Sequence, residues 1–130
     1  MSSSYLTLLG LAKRAGKLEV GDEASRAAIS TATAKALLVA ADASERTKSS
    51  FEFIADSAAI PLIPVSETRE EIGNALGKRP CAVVAICDTG LSAAILKKLA
   101  EENEAAKIAL PALEKKANRA ASRKKTKSKK

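Results

Sequence analysis

The sequence predicts an α/β domain, on three observations. Helix and strand signals alternate along the chain from start to finish. Two continuous apolar runs, Ala36-Leu37-Leu38-Val39-Ala40-Ala41 and Ala82-Val83-Val84-Ala85-Ile86-Cys87, have the character of strands covered on both faces. Capping and stop residues fall where the helically periodic segments begin and end.

The elements follow in order. Tyr5, Leu8, Leu9 and Ala12 form an apolar stripe at helical spacing, and Gly16 can take the left-handed conformation that ends a helix. Gly21-Asp22 opens a second helix that runs to about Thr31 and carries the small residues Ala24, Ala27 and Ala28. The run from Ala36 to Ala41 is a strand. Ser44 caps a third helix with a stripe of Phe51, Ile54, Ala55 and Ala58. Ile60-Pro61-Leu62-Ile63-Pro64-Val65 is a strand whose prolines lack the N–H a central ladder needs, so it lies at an edge or pairs over a short length. Thr68 and Glu71 form a capping-box signature for a helix bearing Ile72, Ala75 and Leu76, which stops near Gly77. After the strand from Ala82 to Cys87, Asp88 or Thr89 caps a helix with Leu91, Ala94, Ile95 and Leu99 on one side. Residues 1–102 are thus expected to form one domain. Residues 103–110 read as a short linker or extension, and residues 103–130 as a whole as a linker and basic tail, expected to be disordered or conditionally helical, the Ala-rich segment from Leu113 to Arg123 being able to form a helix once its charges are neutralised.

A chain of 130 residues with 46% hydrophobic content is enough for one core and too short for a second domain. Met1-Ser2-Ser3-Ser4 lacks the basic residues of a signal peptide, and the apolar runs are too short to span a bilayer, so a cytoplasmic protein without a membrane partner is expected. The net charge of +7 is unevenly placed. Residues 111–130 hold nine basic residues (Lys115, Lys116, Arg119, Arg123, Lys124, Lys125, Lys127, Lys129 and Lys130) against one acid, Glu114. The other 110 residues hold 13 basic and 14 acidic groups, so the excess resides wholly in the tail. Such a block acts as an interaction tail suited to an anionic polymer, or merely as a solubilising one.

Catalytic and metal-binding motifs are weak. Asp88-Thr89-Gly90 copies the aspartic-protease triplet, but those enzymes are nearly all β-structure and here the triplet opens a helix, so capping accounts for it. Gly73-Asn74-Ala75-Leu76-Gly77-Lys78-Arg79 has one residue too few between its glycines for a P-loop, lacks the Ser or Thr after Lys, and follows a helix. The chain has no histidine, and its two cysteines, Cys81 and Cys87, end one apolar run and read as reduced core thiols. A non-enzymatic protein with no metal and no cofactor is expected.

The most informative segment is Leu9-Gly10-Leu11-Ala12-Lys13-Arg14-Ala15-Gly16-Lys17-Leu18, followed by Gly21-Asp22-Glu23 and Arg26. Two helix termini meet there across a few residues. One carries Lys13, Arg14 and Lys17; the other offers unpaired amides, two carboxylates and Arg26, a set able to hold phosphates and base edges. Taken singly, Asp22 reads as an N-cap, Glu23 and the basic pair Lys13-Arg14 as complements to helix dipoles, and Arg26 as a solvated helix position. One tyrosine, two phenylalanines and no tryptophan argue against a module that stacks single-stranded bases.

Taken together, the order Leu9 to Leu18, Gly21-Asp22-Glu23 with Arg26, Leu38-Val39-Ala40-Ala41-Asp42-Ala43-Ser44, Ile60 to Val65, Leu76-Gly77-Lys78 and Pro80-Cys81-Ala82-Val83 resembles the kink-turn-binding ribosomal protein family of archaeal and eukaryotic large subunits, in particular its small bacterial YlxQ-like branch. The resemblance covers roughly residues 4–100. It implies a three-layer α/β/α sandwich around a small four-stranded mixed sheet, and an RNA surface made of two loops. In the first, Gly21, Asp22, Glu23 and Arg26 stand where the family contacts tandem sheared G·A pairs. In the second, Gly77-Lys78-Arg79-Pro80-Cys81-Ala82, the family packs small apolar residues against a base turned out of the kink.

This chain departs from the pattern at Asp22, where a neutral polar residue is common, and at Lys78-Arg79, which put two charges on an otherwise apolar platform. Both shift the reading toward phosphate-led, salt-sensitive binding, with the basic tail adding contacts to neighbouring phosphates. The expectation is a monomeric RNA-binding protein whose partner is structured RNA, ribosomal RNA foremost, on the ribosome or its precursors. The alternative is a protein-interaction module of the same fold without RNA specificity.

Overall fold

A computed structural model describes the backbone of residues 3–128 and the side chains of residues 5–119. Its elements follow in the order α1 (Ser3–Arg14), β1 (Leu18–Val20), α2 (Asp22–Ser30), β2 (Ala36–Val39), α3 (Glu45–Ala58), β3 (Leu62–Pro64), α4 (Arg69–Leu76), β4 (Val83–Ile86), α5 (Thr89–Leu99) and α6 (Glu104–Ser128). The four strands form one mixed sheet in the order β1-β4-β2-β3. β4 is antiparallel to both neighbours, setting Leu18 opposite Ile86 and Val39 opposite Val83. β2 and β3 are parallel, with Leu37 opposite Leu62 and Val39 opposite Pro64.

Every residue of β2 and β4 is buried, because helices cover both faces of the sheet. Successive side chains point to opposite faces. Leu38, Val84 and Ile86 therefore pack with α1, α4, α5 and α6, while Leu37, Val39, Val83 and Ala85 pack with α2 and α3. The result is the α/β/α sandwich, with the proline-bearing β3 at an edge as its missing donors require. The caps form as their side chains dictate. Ser44 Oγ accepts from the Thr47 amide at 3.1 Å, Thr68 and Glu71 exchange both capping-box bonds, and Asp88, not Thr89, caps α5 by accepting from the Leu91 amide at 2.8 Å.

Two parts differ from the sequence reading. Leu18–Val20 is a strand, β1, where the sequence suggested only a turn between helices. Three residues are too few to show an alternating pattern, and its pairing with β4 comes from residues more than sixty positions away. Residues 103–110, read as a linker, are instead the start of α6. Asn103 caps this helix, its Oδ1 accepting from the Ala106 amide at 3.1 Å, and its Nδ2 donates to the Pro64 carbonyl at 2.7 Å. Ala106 and Leu113 are buried in the core, with Ala109 and Leu110 partly buried between them. This stripe has helical spacing, and the sequence hides it behind Pro111, which lacks the amide to bond residue 107, and behind the surrounding charges.

Tyr5 does more than fill the apolar stripe of α1. Its hydroxyl donates to the carboxylate of buried Glu67 at 2.5 Å, and the Glu67 carbonyl accepts from the Ala41 amide at 2.8 Å. Burial, reinforced by the bond to Glu67 and its charge, pushes the Tyr5 phenol far above its ordinary value of 10.0. Cys81 and Cys87 are free thiols, the first buried and the second half-buried. No helix among the described residues is long and apolar enough to cross a membrane.

Candidate nucleic-acid interface

The sheet has two ends, and the strand directions decide which predicted residues share one. Gly21 follows β1, and its amide donates to the Val83 carbonyl, at the start of β4, at 2.9 Å. Lys17 precedes β1, and its carbonyl accepts from the Cys87 amide, just past the other end of β4, at 2.8 Å. Lys17 and Gly21 are therefore separated by the length of β1, about 13 Å for four residues of extended chain. The structure does not bring Lys13, Arg14 and Lys17 together with Gly21, Asp22, Glu23 and Arg26. The insertion of β1 divides the segment that looked continuous in sequence.

At the Gly21 end, the backbone of Gly21 has φ +102°, a region that side chains disfavour. Gly21 is itself the N-cap of α2, and no side chain caps the helix, so its first-turn amides remain available to an acceptor. Asp22 is consequently the first helical residue and not the cap. Its Oδ1 instead lies 2.6 Å from Arg26 Nε, one turn along the helix. Arg26 is further held by a 2.8 Å bond from Nη2 to Ser50 Oγ and by its guanidinium lying 4.6 Å from the centre of the Phe51 ring. A residue read as freely solvated is thus a fixed strut between α2 and α3, still 42% exposed. Glu23 is exposed and makes no ion pair among the described residues.

The second predicted loop lies beside this helix start. α4 ends at Gly77 with φ +66°, and the Lys78 amide donates to the Gly73 carbonyl at 2.8 Å. Arg79 then passes so close to α4 that a Cβ added to Gly73 would meet the Arg79 carbonyl oxygen at 2.4 Å. The loop is tied down by the Cys81 amide to the Arg69 carbonyl and by the Ala40 amide to the Ala82 carbonyl, at 3.2 and 2.8 Å. Lys78, Arg79 and Pro80 are exposed, and Ala82 is half-buried. Cys81, named with them from the resemblance, turns its side chain into the core, where burial pushes its thiol up. It joins the cluster of Val84 and Ile86 and not that of Val83 and Ala85, so the alternation of β4 does not extend back to it.

A third loop completes this end of the molecule and was missed as a contributor. Asp42 Oδ1 accepts from the Arg69 amide at 2.8 Å, and its other oxygen lies 3.6 Å from Arg69 Nε. The bond from the Arg69 amide is the main reason its carboxyl is held below the usual range. Asp42, Thr68, Arg69, Glu70 and Pro80 line a cleft of about 340 Å³. The only sequence signal for it was the stretch Ala41-Asp42-Ala43-Ser44, whose partner, Arg69, stands 27 residues away.

The tail residues lie elsewhere. Lys115, Lys116 and Arg119 are exposed on α6. Arg123, Lys124, Lys125 and Lys127 belong to the α6 backbone, but their side chains lie outside the described residues, as do Lys129 and Lys130 altogether. Among the described residues, no group of three or more acidic or cysteine side chains is placed to hold a metal ion.

Comparison with known proteins matches residues 4–96 to the model of the Ribosomal protein L7Ae/L30e/S12e/Gadd45 family. The chain is 39% identical over 89 residues to the RNA-binding protein YlxQ of Enterococcus faecium, covering 67% of this chain and 82% of that protein. It is 33% identical over 95 residues to the RNA-binding protein YlxQ of Bacillus subtilis (strain 168), covering 73% and 94%. The solved structure of a protein with unknown function from Bacillus halodurans C superposes with a TM-score of 0.68 at 31% identity, covering 72% of this chain and 94% of that one.

Proposed function

This chain belongs to the Ribosomal protein L7Ae/L30e/S12e/Gadd45 family, and from that membership we propose that it is a non-enzymatic, cytoplasmic RNA-binding protein that recognises a kink-turn-like element in structured RNA. Ribosomal RNA, in the ribosome or its precursors, is the foremost candidate. The observation that carries the reading is the bond from the Gly21 amide to the Val83 carbonyl, which fixes the open N-terminus of α2 beside the loop Gly77–Ala82. Both relatives named above are RNA-binding proteins, which supports the same assignment.

The chemistry follows from what is exposed there. The Glu23 carboxylate accepts from a guanine amino group, and the uncapped amides of α2 hold a phosphate oxygen. Arg26 donates to guanine acceptors or phosphate through the part of its guanidinium that Asp22 and Ser50 leave free. Lys78 and Arg79 add phosphate contacts from the second loop. None of these steps depends on base stacking, in keeping with a chain so poor in aromatic residues.

A gel-shift comparison of a kink-turn RNA with a straight duplex of matched composition tests this. Glu23→Ala is expected to weaken the kinked complex by about tenfold or more and the straight one by less than about twofold, since a base-edge contact carries roughly 1–3 kcal/mol of discrimination. Equal losses on both RNAs would overturn the proposal.

A further inference from the structure

We infer that the end of the sheet opposite Gly21 is a second nucleic-acid surface, made for the phosphodiester backbone of a separate duplex segment, so that one molecule bridges two RNA segments. The inference goes beyond the loop reading and does not need its kink specificity.

The polarity of the fold carries it. Asn103 ties the start of α6 to Pro64, at the end of β3. About three turns later, Leu113 and Lys116 line a cleft of about 360 Å³ with Ala59 and Ile60, before β3 begins, with Lys35, before β2 begins, and with Thr89, after β4 ends. α6 thus travels from the loop end of the sheet to the opposite end, and it is held there by the burial of Ala106 and Leu113. From Leu113 to Ser128 it continues for 15 residues, about 22 Å at 1.5 Å per residue, away from the loops. A continuous helix cannot turn back to the phosphates beside Gly21.

Charge gathers at this same end. Lys17 and Lys35 precede β1 and β2, two strands of one sheet separated only by β4. Lys17, Lys35, Lys115, Lys116 and Arg119 make no ion pair among the described residues, and Arg14 ends α1 on the same side. The acids nearby are few: Asp88 is engaged in capping α5, and Glu19, Asp56 on the last turn of α3 and Glu114 remain. Beyond Glu114 the only apolar residues are alanines, which offer a bilayer nothing large to bury, so the chemistry favours phosphodiester over a lipid surface. The family match covers residues 4–96, so α6 lies outside the matched residues.

The test immobilises a kink-turn RNA, saturates it with the full chain, and measures retention of a labelled straight duplex. Retention at about one duplex per protein is expected, with light scattering in solution giving one protein to two RNAs. Changing Lys35 and every Lys and Arg from 115 to 130 to Gln keeps good helix formers in place. That variant is expected to bind the immobilised RNA within about threefold and to lose about tenfold or more of duplex retention, reflecting the lost counterion release. Should it fail to fold, competition on the unaltered chain still decides: excess straight duplex must not displace the kink-turn RNA. Displacement, undiminished retention by the variant, or two proteins per bridged pair would overturn the inference; no retention at all would also overturn it and leave this end to a protein or a membrane surface. Loss of kink preference with retention of the duplex would instead refute the loop reading alone.

Discussion

Arg26 Nε lies 2.6 Å from Asp22 Oδ1, so the cation proposed to contact RNA is already neutralised one helical turn away. The pair is about half exposed, and such surface pairs contribute little to stability. Its consequence is for binding. Asp22→Asn is expected to tighten kink-turn RNA binding by about threefold to tenfold at low salt, with the gain shrinking as salt rises, because a negative charge leaves the helix start proposed to meet RNA. Arg26→Ala is expected to weaken it by about tenfold. Gel-shift titrations at two salt concentrations check both signs.

Gly73→Ala sets a helix preference against a close contact. An alanine inside a helix ordinarily adds about 0.5–1 kcal/mol of stability. Here its Cβ would meet the Arg79 carbonyl oxygen at 2.4 Å, backbone that cannot swing aside. The substitution is expected to cost about 1–3 kcal/mol in urea unfolding and to weaken RNA binding by displacing Lys78 and Arg79. A stabilised variant would show that the loop is not held against α4.

Tyr5→Phe removes the hydroxyl that donates to Glu67 and is expected to cost about 1–3 kcal/mol at neutral pH. The sign with pH follows from the raised phenol. The folded state holds the proton more tightly than the unfolded chain, so the contribution is complete below the ordinary tyrosine value of 10.0 and is lost as pH rises above it. Unfolding curves from pH 8 to 12 should therefore show a steeper alkaline loss for the natural chain than for the variant.

Asn103→Ala and Leu113→Ala ask whether α6 is part of the core. Loss of the cap is expected to cost about 0.5–2 kcal/mol, and emptying the buried Leu113 site about 2–5 kcal/mol. Denaturant midpoints measure both, and a change below about 0.5 kcal/mol for Leu113→Ala would mean that α6 is not docked.

The local signals in this sequence were strong because single residues carried them. The capping box at Thr68 and Glu71 and the cap at Ser44 form as their side chains require, and the stop glycines at positions 16 and 77 take the positive φ that their lack of a Cβ permits. The two apolar runs became the two central strands, since only full coverage tolerates such sequences. What stayed hidden needed a partner remote in the chain. β1 exists through β4, the third loop of the site exists through the meeting of Asp42 and Arg69, and α6 is anchored by Asn103 reaching Pro64, 39 residues away.

The sequence by itself determined the alternation of helix and strand, the location of the charge excess and the start of α2, because periodicity, composition and capping are properties of neighbours along a chain. Which of those residues face one another was decided only in three dimensions. Strand direction placed Lys17 and Gly21 at opposite ends of the sheet, and the packing of α4 and α5 against one face took Cys81 into the cluster of Val84 and Ile86. The physical reason is that a strand carries its two ends apart and that the helices chosen to cover each face come from remote parts of the chain, and neither is visible until the pairing partner is known.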